Sequence, residues 1–216
     1  MSLIKAGEFL MGSPDGEGDR EEHPRHKVWL DAYYLDKYEV TAAEYAGYAA
    51  AVGIKMHEQP DYSRADHPVV YVTWNDADAY CRWRGKRLPT EAEWEKAVRC
   101  GTLTKWPFGN EQSVLGDYAW STGNSNERSH PIGQKKPNPC GLYDMEGNVW
   151  EWVSDWYADY SAESVHNPKG PDTGEYKIWR GGSWYFTIDA TRSAHRQTSL
   201  PGFSVGLALV GFRCAL

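Results

Sequence analysis

The 216-residue sequence lacks any apolar run that approaches the roughly 20 residues of a membrane span. Its first residues also lack the basic and then apolar segments of a secretory leader. We therefore expect no transmembrane segment. The missing leader indicates a cytoplasmic location unless the sequence is trimmed, so the compartment stays open. Lys and Arg are dispersed and outnumbered by Asp and Glu, which gives a net charge of −7. This balance argues against a nucleic-acid partner, because such a partner requires a basic face.

Several kinds of chemical site are excluded by missing motifs. The chain has four cysteines: Cys81, Cys100, Cys140 and Cys214. None belongs to a C-x-x-C pair, which argues against a zinc site. The glycine-rich residues 12–18 lack the lysine and hydroxyl pair of a phosphate-binding loop. The Gly-Gly-Ser turn at residues 181–183 lacks the G-x-S-x-G spacing of a hydrolase nucleophile. We expect neither a nucleotide site nor a serine nucleophile.

Aromatic rings and glycines are abundant, with 11 Trp, 14 Tyr and 21 Gly. Glycine adopts backbone conformations that other residues resist, and rings fill large volumes. The combination predicts large side chains held between tight, irregular loops, rather than a helical bundle or a long sheet.

Three helices are predicted by capping boxes, in which a threonine is followed three residues later by an acid. The boxes are Thr41 with Glu44, Thr73 with Asp76, and Thr90 with Glu93. Gly53 and Gly85 should end the first two helices, and Trp94 and Val98 of the third should face the core. Strands are predicted at residues 26–36, 177–183 and 210–215, and loops at residues 101–139 and 161–175. The tryptophan-rich residues 150–156 begin either a strand or a packed turn.

Four sequence blocks resemble the formylglycine-generating-enzyme family, a branch of the C-type lectin-like fold. The blocks are residues 85–95 (GKRLPTEAEWE), 141–152 (GLYDMEGNVWEW), 180–184 (RGGSW) and 211–214 (GFRC). The resemblance implies an α+β fold with short strands, about three helices and much irregular loop, in one domain over residues 1–216. It also implies a disulfide between Cys81 and Cys214, although two small buried thiols would suit these positions equally well. Cys100 and Cys140 are expected to be free.

The resemblance further implies a structural calcium ion in the second block. Its ligands would be the side chains of Asp144 and Glu151 and the backbone carbonyls of Gly147 and Val149. Calcium prefers oxygen ligands from a compact loop, and Gly147 permits the required bend. The alternative is a loop without metal, in which Asn148 and the two carboxylates bond to backbone amides.

Redox chemistry is not expected from this chain. Copper-dependent oxidases of the family bind copper and exchange sulfur through two cysteines after the Gly-Gly-Ser-aromatic turn. The matching positions hold Phe186 and Thr191, neither of which can do so. Iron-dependent sulfoxide synthases of the family need a His-x3-His-x-Glu site on a separate helical domain. His23 and His26 have the wrong spacing for that site. We therefore expect neither copper nor iron.

Residue choice is unusual within residues 184–210. Residues 185–191 and 198–210 contain no Lys, Glu, Gln, Met or Trp. These are the five types that an Asn codon cannot encode when only its adenines are randomised. The segment thus resembles the variable region of proteins that are diversified by retroelements, many of which share this fold and end near a Gly-Phe-Arg strand. A rigid core suits such a role, because it can hold loops whose side chains are exchanged.

The resemblance implies a non-catalytic ligand-binding protein whose diversified C-terminal surface meets a protein or other macromolecular ligand. Tyr185, Phe186 and Phe203 should supply the main contacts, because rings give a large contact area with few rotatable bonds. The expected ligand-binding residues are Trp184, Tyr185, Phe186, Thr187, Ile188, Asp189, Thr191, His195, Thr198, Ser199, Leu200, Phe203, Ser204, Val205, Leu207 and Leu209.

Two alternatives stay open. The apolar residues at positions 203, 205, 207 and 209 alternate with period two, which is also the pattern of a core-facing strand. The chain is alternatively a formylglycine-generating-enzyme-like oxidase or accessory enzyme with altered chemistry. Burial of Tyr185, Phe186 and Phe203 would favour the core interpretation, whereas exposure would favour a binding surface.

Overall fold

The computed structural model describes residues 1–203 and 208–216, and this part of the chain has the predicted α+β character. The α-helices are α1 (Ala42–Val52), α2 (Trp74–Trp83) and α3 (Glu91–Arg99). The strands are β1 (Ser2–Ile4), β2 (Gly7–Met11), β3 (His26–Leu30), β4 (Tyr33–Leu35), β5 (Trp150–Trp156), β6 (Val165–His166), β7 (Lys177–Arg180), β8 (Arg196–Ser199) and β9 (Val210–Gly211). Short 3-10 helices lie at Arg20–Glu22, Gln112–Asp117 and Ile188–Thr191.

Each α-helix begins at the capping box predicted for it. The hydroxyl groups of Thr41, Thr73 and Thr90 accept the backbone N–H three residues further on. The acids in turn accept the threonine N–H groups, so two amides without intrahelical partners are satisfied at each helix start. Gly53 ends α1 with a left-handed φ of 73°, as predicted. No helix in the described ranges is both long and apolar enough to cross a bilayer.

The described strands form three small sheets: β1–β4, β2–β3–β6, and β8–β7–β5–β9. In the four-stranded sheet, β7 runs antiparallel to both β5 and β8, and β9 runs parallel to β5. The register sets Trp152 opposite Trp179, and Glu151 opposite Arg180. Since side chains alternate between the two faces of a sheet, one face is aromatic and the other carries buried charges.

Glycines make the closing strands shorter than predicted. Strand β7 ends at Arg180 because Gly181 and Gly182 follow with φ values of 96° and 79°. A Cβ atom on Gly181 would lie 2.9 Å from the Met145 carbonyl oxygen, so only glycine fits there. Strand β9 covers only two of the six residues predicted.

The predicted loop at 161–175 contains β6, which pairs in parallel with β3. A two-residue strand is too short to leave an alternating pattern.

Aromatic side chains fill the core, as the composition predicts. Trp94 and Val98 of α3 are fully buried, which confirms their expected orientation. Trp152 donates its Nε1 proton to the Val72 carbonyl at 3.0 Å and therefore satisfies its polar atom. Tyr80 of α2 packs edge-on against Phe212 next to β9, with ring centroids 5.4 Å apart. The helices are thereby held against the four-stranded sheet.

All four cysteines form disulfides. Cys81 of α2 is bonded to Cys214, which confirms the pairing implied by the family resemblance. The expectation that Cys100 and Cys140 are free is wrong, because they form the second disulfide. Cys100 ends α3 in a left-handed conformation. The Cα atoms of Cys100 and Cys140 are 5.6 Å apart. This is an ordinary separation for a disulfide, but it results from a loop return that leaves no local sequence signal.

Candidate functional site

The segment at residues 184–203 follows the Gly-Gly-Ser turn; its two ends pack on the aromatic face of the four-stranded sheet, and its residues 196–199 form the edge strand β8. Trp184 begins it, and its Nε1 atom donates to the Ala208 carbonyl at 2.7 Å. The Phe186 ring lies 5.4 Å from the ring of Trp150. Further along, the Phe203 ring lies 6.1 Å from the ring of Trp179. Tryptophans of β5 and β7 therefore support the segment at both of its ends.

Several of the predicted contact residues face solvent. Tyr185 is 53% exposed, Leu200 51% and Phe203 45%. Thr187 and Asp189 are also exposed. The half-buried members of the predicted set are Phe186, Ile188, His195, Thr198 and Ser199. Tyr185 and Phe203 thus do not belong to the core, and Phe186 belongs to it only in part.

Three residues predicted to face a ligand are instead buried, and their predicted exposure is wrong. Trp184 is 7% exposed because its ring packs inward to reach the Ala208 carbonyl. Thr191 is fully buried, and its hydroxyl accepts a hydrogen bond from Trp106 Nε1 at 3.1 Å. Leu209 is 7% exposed and belongs to the main core cluster. The predictions for Ser204, Val205 and Leu207 lie outside the described residues.

Buried ion pairs connect the arginines of the segment to acids elsewhere in the domain. Sequence reasoning missed these pairs. The Arg192 guanidinium donates to both Glu22 oxygens at 2.6 and 2.7 Å. Arg196 bonds to both Glu91 oxygens at 2.8 and 2.7 Å. Although burial raises the pKa of Glu22, hydrogen bonds from Arg192 and Ser13 lower it to about 2. The sequence signal for these pairs was weak: Arg192 and Arg196 lie in a stretch whose only other charged residue is Asp189.

Arg180 connects these buried ion pairs to the backbone of the segment. It is fully buried and is paired with the equally buried carboxylate of Glu95. Its two terminal NH2 groups also donate to the carbonyls of Ser193 at 3.1 Å, Ala194 at 2.8 Å and His195 at 2.7 Å, whereas its buried Nε proton has no partner among the described residues. The guanidinium thus fixes the peptide groups of three consecutive residues of the segment.

The two positions that correspond to the copper-binding cysteines perform structural roles. Phe186 packs on Trp150, and Thr191 bonds to Trp106 and to the Ile188 carbonyl. The four cysteines of the chain are all in disulfides. A thiolate is therefore not available near these positions while the disulfides are intact.

The four predicted calcium ligands fit that ion only in part. Asp144 Oδ1 is buried and has no hydrogen-bond partner among the described residues, as expected of a free metal ligand. Burial raises the pKa of Asp144 to about 6. Glu151, however, bonds to Arg213 at 2.7 and 2.8 Å and to Trp94 Nε1 at 2.9 Å. Within the described part of the chain, no group of three or more His, Cys, Asp or Glu side chains is arranged to hold a metal.

Asp155 makes the stability of this region depend on pH. It is buried on β5 and accepts the backbone N–H of Glu91 at 2.9 Å. Burial and the Glu91 charge raise its pKa from 3.8 to about 7. An acid with a raised folded-state pKa stabilises the fold fully below its unfolded pKa, and that stability is lost as the pH rises toward the folded value. We expect this group to lower the free energy of unfolding by roughly 2–3 kcal/mol between pH 5 and pH 8.

Thermal unfolding of the Asp155→Asn variant tests this expectation. An amide oxygen can still accept from Glu91 but does not ionise, so the variant should lose less stability than the wild type between pH 5 and pH 8. The exposed Asp172→Asn change serves as the control and should leave the pH dependence unchanged. Identical profiles for wild type and Asp155→Asn would contradict the assignment.

The three small sheets, three capped helices and aromatic core define a C-type lectin-like fold of the formylglycine-generating-enzyme type. The family model for the sulfatase-modifying factor enzyme 1-like domain matches residues 1–216, and the chain belongs to this family. This membership confirms the resemblance of the four sequence blocks.

Similar proteins include both enzymes and variable proteins. The formylglycine-generating enzyme of Bos taurus is 34% identical over 278 residues, which cover 100% of this chain and 74% of the enzyme. The serine/threonine-protein kinase pkn1 of Chlamydia caviae is 39% identical over 243 residues. The chain spans only 37% of the length of that relative. The solved structure of Treponema denticola variable protein 1 has a TM-score of 0.88 and 30% identity, and the match covers 100% of this chain and 94% of that one.

Proposed function

We propose that this protein is a non-catalytic ligand-binding protein with a diversified binding surface. We define the variable surface as those predicted ligand-binding residues that the structure describes and leaves exposed or half-buried. They are Tyr185, Phe186, Thr187, Ile188, Asp189, His195, Thr198, Ser199, Leu200 and Phe203. The observation that carries the proposal is the exposure of Tyr185, Leu200 and Phe203 on a rigidly supported segment. Exposed large apolar groups that cluster on a folded domain are typical of a binding site.

Two further findings support a binding role over an oxidase role. The chain as a whole is similar in fold to Treponema denticola variable protein 1. Phe186 and Thr191 occupy the places of the copper-binding cysteines, and the remaining cysteines are paired. The similarity to formylglycine-generating enzymes therefore concerns the framework, because the sulfur ligands of the reaction are missing.

The proposal predicts that the variable surface tolerates replacement. The triple variant Tyr185→Asn, Leu200→Asn and Phe203→Asn should change the free energy of unfolding by only about 0.5 kcal/mol per site, because exposed side chains contribute little to stability. Leu209→Ala serves as the matched control from the same predicted ligand-binding set. It should cost about 2–5 kcal/mol, because this leucine is buried. Urea unfolding measures both, and equal losses in the two variants would contradict the proposal.

Binding itself is tested by display and selection. The exposed positions are randomised with codons whose adenines alone are varied, and the library is selected on purified protein targets. We expect binders whose affinity falls at least tenfold when the selected residue at position 185 or 203 is replaced by alanine. Selected binders whose affinity does not change when these positions are replaced by alanine would refute the proposal. A near-copy of the coding segment beside a reverse transcriptase gene in the source genome would identify the origin of the diversity.

We also propose that calcium stabilises the loop before β5. The Asp144 side chain and the carbonyls of Gly147 and Val149 would hold the ion, and Glu151 would join by sharing its carboxylate with Arg213. A ligand that binds only the folded state stabilises it, by about 2.7 kcal/mol at a hundredfold excess over its Kd. Calcium should therefore raise the Tm relative to EDTA. Asp144→Asn should abolish the rise, whereas the exposed Asp172→Asn should keep it. A Tm that does not respond to calcium would exclude this ligand set.

A further inference from the structure

Three ring nitrogens at or beneath the variable surface are left without a hydrogen bond. Among the residues that the structure describes, Trp150 Nε1, Trp179 Nε1 and His195 Nδ1 are buried and unpartnered, as are Arg180 Nε and Ser193 Oγ next to the same segment. Five other tryptophans donate their Nε1 proton to a protein oxygen: Trp74, Trp94, Trp106, Trp152 and Trp184. Buried polar atoms in proteins are nearly always paired, so unpaired ones in one location require an explanation.

The three atoms belong to one aromatic layer. The rings of Trp150 and His195 have centroids 5.5 Å apart. Trp179 packs edge-on against Trp152, the neighbour of Trp150 on the same face of β5, at 5.2 Å. Phe186 and Phe203 of the variable surface pack on Trp150 and Trp179, respectively. The unpartnered atoms therefore lie directly below residues to which we assign ligand contact.

The donor and acceptor pattern of the layer is specific. Indole nitrogens only donate hydrogen bonds. His195 Nε2 lies 3.4 Å from Asp19 Oδ2, which assigns the ring proton to Nε2 and leaves Nδ1 as an acceptor. Burial lowers the pKa of His195, so the ring is neutral at neutral pH. The layer thus offers two donors and one acceptor, all without net charge.

An amide group matches this pattern. Its carbonyl accepts from indole N–H groups, its N–H donates to an imidazole nitrogen, and its plane packs well between rings. A carboxylate lacks the donor and would bring a charge into a buried site that has no free counter-charge. We propose, resting on the ligand-binding function above, that Trp150, Trp179 and His195 form a subsite for an amide group of a protein ligand. The group is either an Asn or Gln side chain or a backbone peptide.

Phe186 controls access to this subsite. Its ring covers Trp150 edge-on, at an interplanar angle of 77°, and is itself half-buried. The ligand amide enters when the Phe186 side chain rotates aside, a kind of rotamer change that is common on binding. Because position 186 belongs to the diversified segment, its side-chain size sets how open the subsite is.

Indole resonances of the 15N-labelled full chain test the proposal, with Trp150→Phe and Trp179→Phe used to assign the two signals. Acetamide serves as the side-chain probe and N-methylacetamide as the backbone probe. Both Trp signals should shift saturably with at least one amide, and the better probe identifies the source. Acetate and tert-butanol should bind at least fivefold more weakly. Phe186→Ala should strengthen amide binding several-fold, and His195→Leu should weaken it about fivefold.

The signals of Trp94, Trp152 and Trp184 are internal controls, because their donors are already used. The subsite is refuted if the Trp150 and Trp179 signals stay fixed, if acetate or tert-butanol shifts them as strongly, or if the control signals move equally. If any of these NMR results is obtained but the display library still yields binders, only the subsite is refuted. If the selection also yields no binders, the proposed ligand-binding function is refuted as well.

Discussion

Replacing Cys81 and Cys214 together by alanine is expected to lower the free energy of unfolding by about 5 kcal/mol. The disulfide joins residues 133 positions apart, so its loss restores a large loop entropy to the unfolded chain. Both cysteines are fully buried and near alanine in size, so lost packing adds little. Urea unfolding of the purified variant measures the loss.

The second disulfide provides the matched comparison. Cys100 and Cys140 are 40 positions apart, and their joint replacement should cost about 4 kcal/mol. A loss below about 1 kcal/mol in the Cys81 variant would show that loop entropy is not the main contribution. Disulfides are rare in the reducing cytosol. The two pairings therefore favour an oxidising compartment over the cytoplasm.

The Arg180→Met variant should lose about 3–5 kcal/mol of unfolding free energy. Arg180 and Glu95 are both fully buried, so the change leaves a carboxylate in the interior with weaker compensation. It also removes the donor for the carbonyls of Ser193, Ala194 and His195. The carbonyls of the buried Ser193 and Ala194 then lose their donor where water has little access, whereas that of the half-buried His195 is less affected.

Arg82 offers the control for Arg180. It pairs with Asp78 at 2.7 Å, but its side chain is 74% exposed. Arg82→Met should therefore change stability by less than about 0.5 kcal/mol, as is usual for exposed helix pairs. Chemical unfolding of the two variants under one set of conditions gives the comparison. Similar losses would mean that burial is not what makes the Arg180 pair important.

Local structure was largely predictable from the sequence, because its signals are local. The capping boxes at Thr41, Thr73 and Thr90 depend on residues three apart, and all three helices begin there. Pairings between distant residues were not predictable from composition or spacing. The Cys100–Cys140 disulfide and strand β6 depend on how long loops return to the core, and the residues involved carry no periodic signal.

The candidate site was predictable as a segment but not side chain by side chain. Residue choice in a stretch that resembles a variable region indicates which positions would vary, but it does not indicate which way each side chain points. The 3-10 turn at Ile188–Thr191 exposes Asp189 and buries Thr191, and both are compatible with the same codons. The supporting arginines were missed because each pairs with an acid more than 80 residues away, as Arg180 does with Glu95 at a separation of 85.

The variable surface is fastened to the rest of the domain largely by main-chain atoms. Thr122 donates its hydroxyl proton to the Tyr185 carbonyl at 2.7 Å and its N–H to the Phe186 carbonyl at 3.2 Å. Ser125 donates its hydroxyl proton to the Trp184 carbonyl at 2.9 Å. Peptide groups are identical whichever amino acid bears them. Under the proposed function, the binding specificity could change by substitution of side chains while the attachment points stay chemically constant, which is the property sought in an engineered affinity reagent.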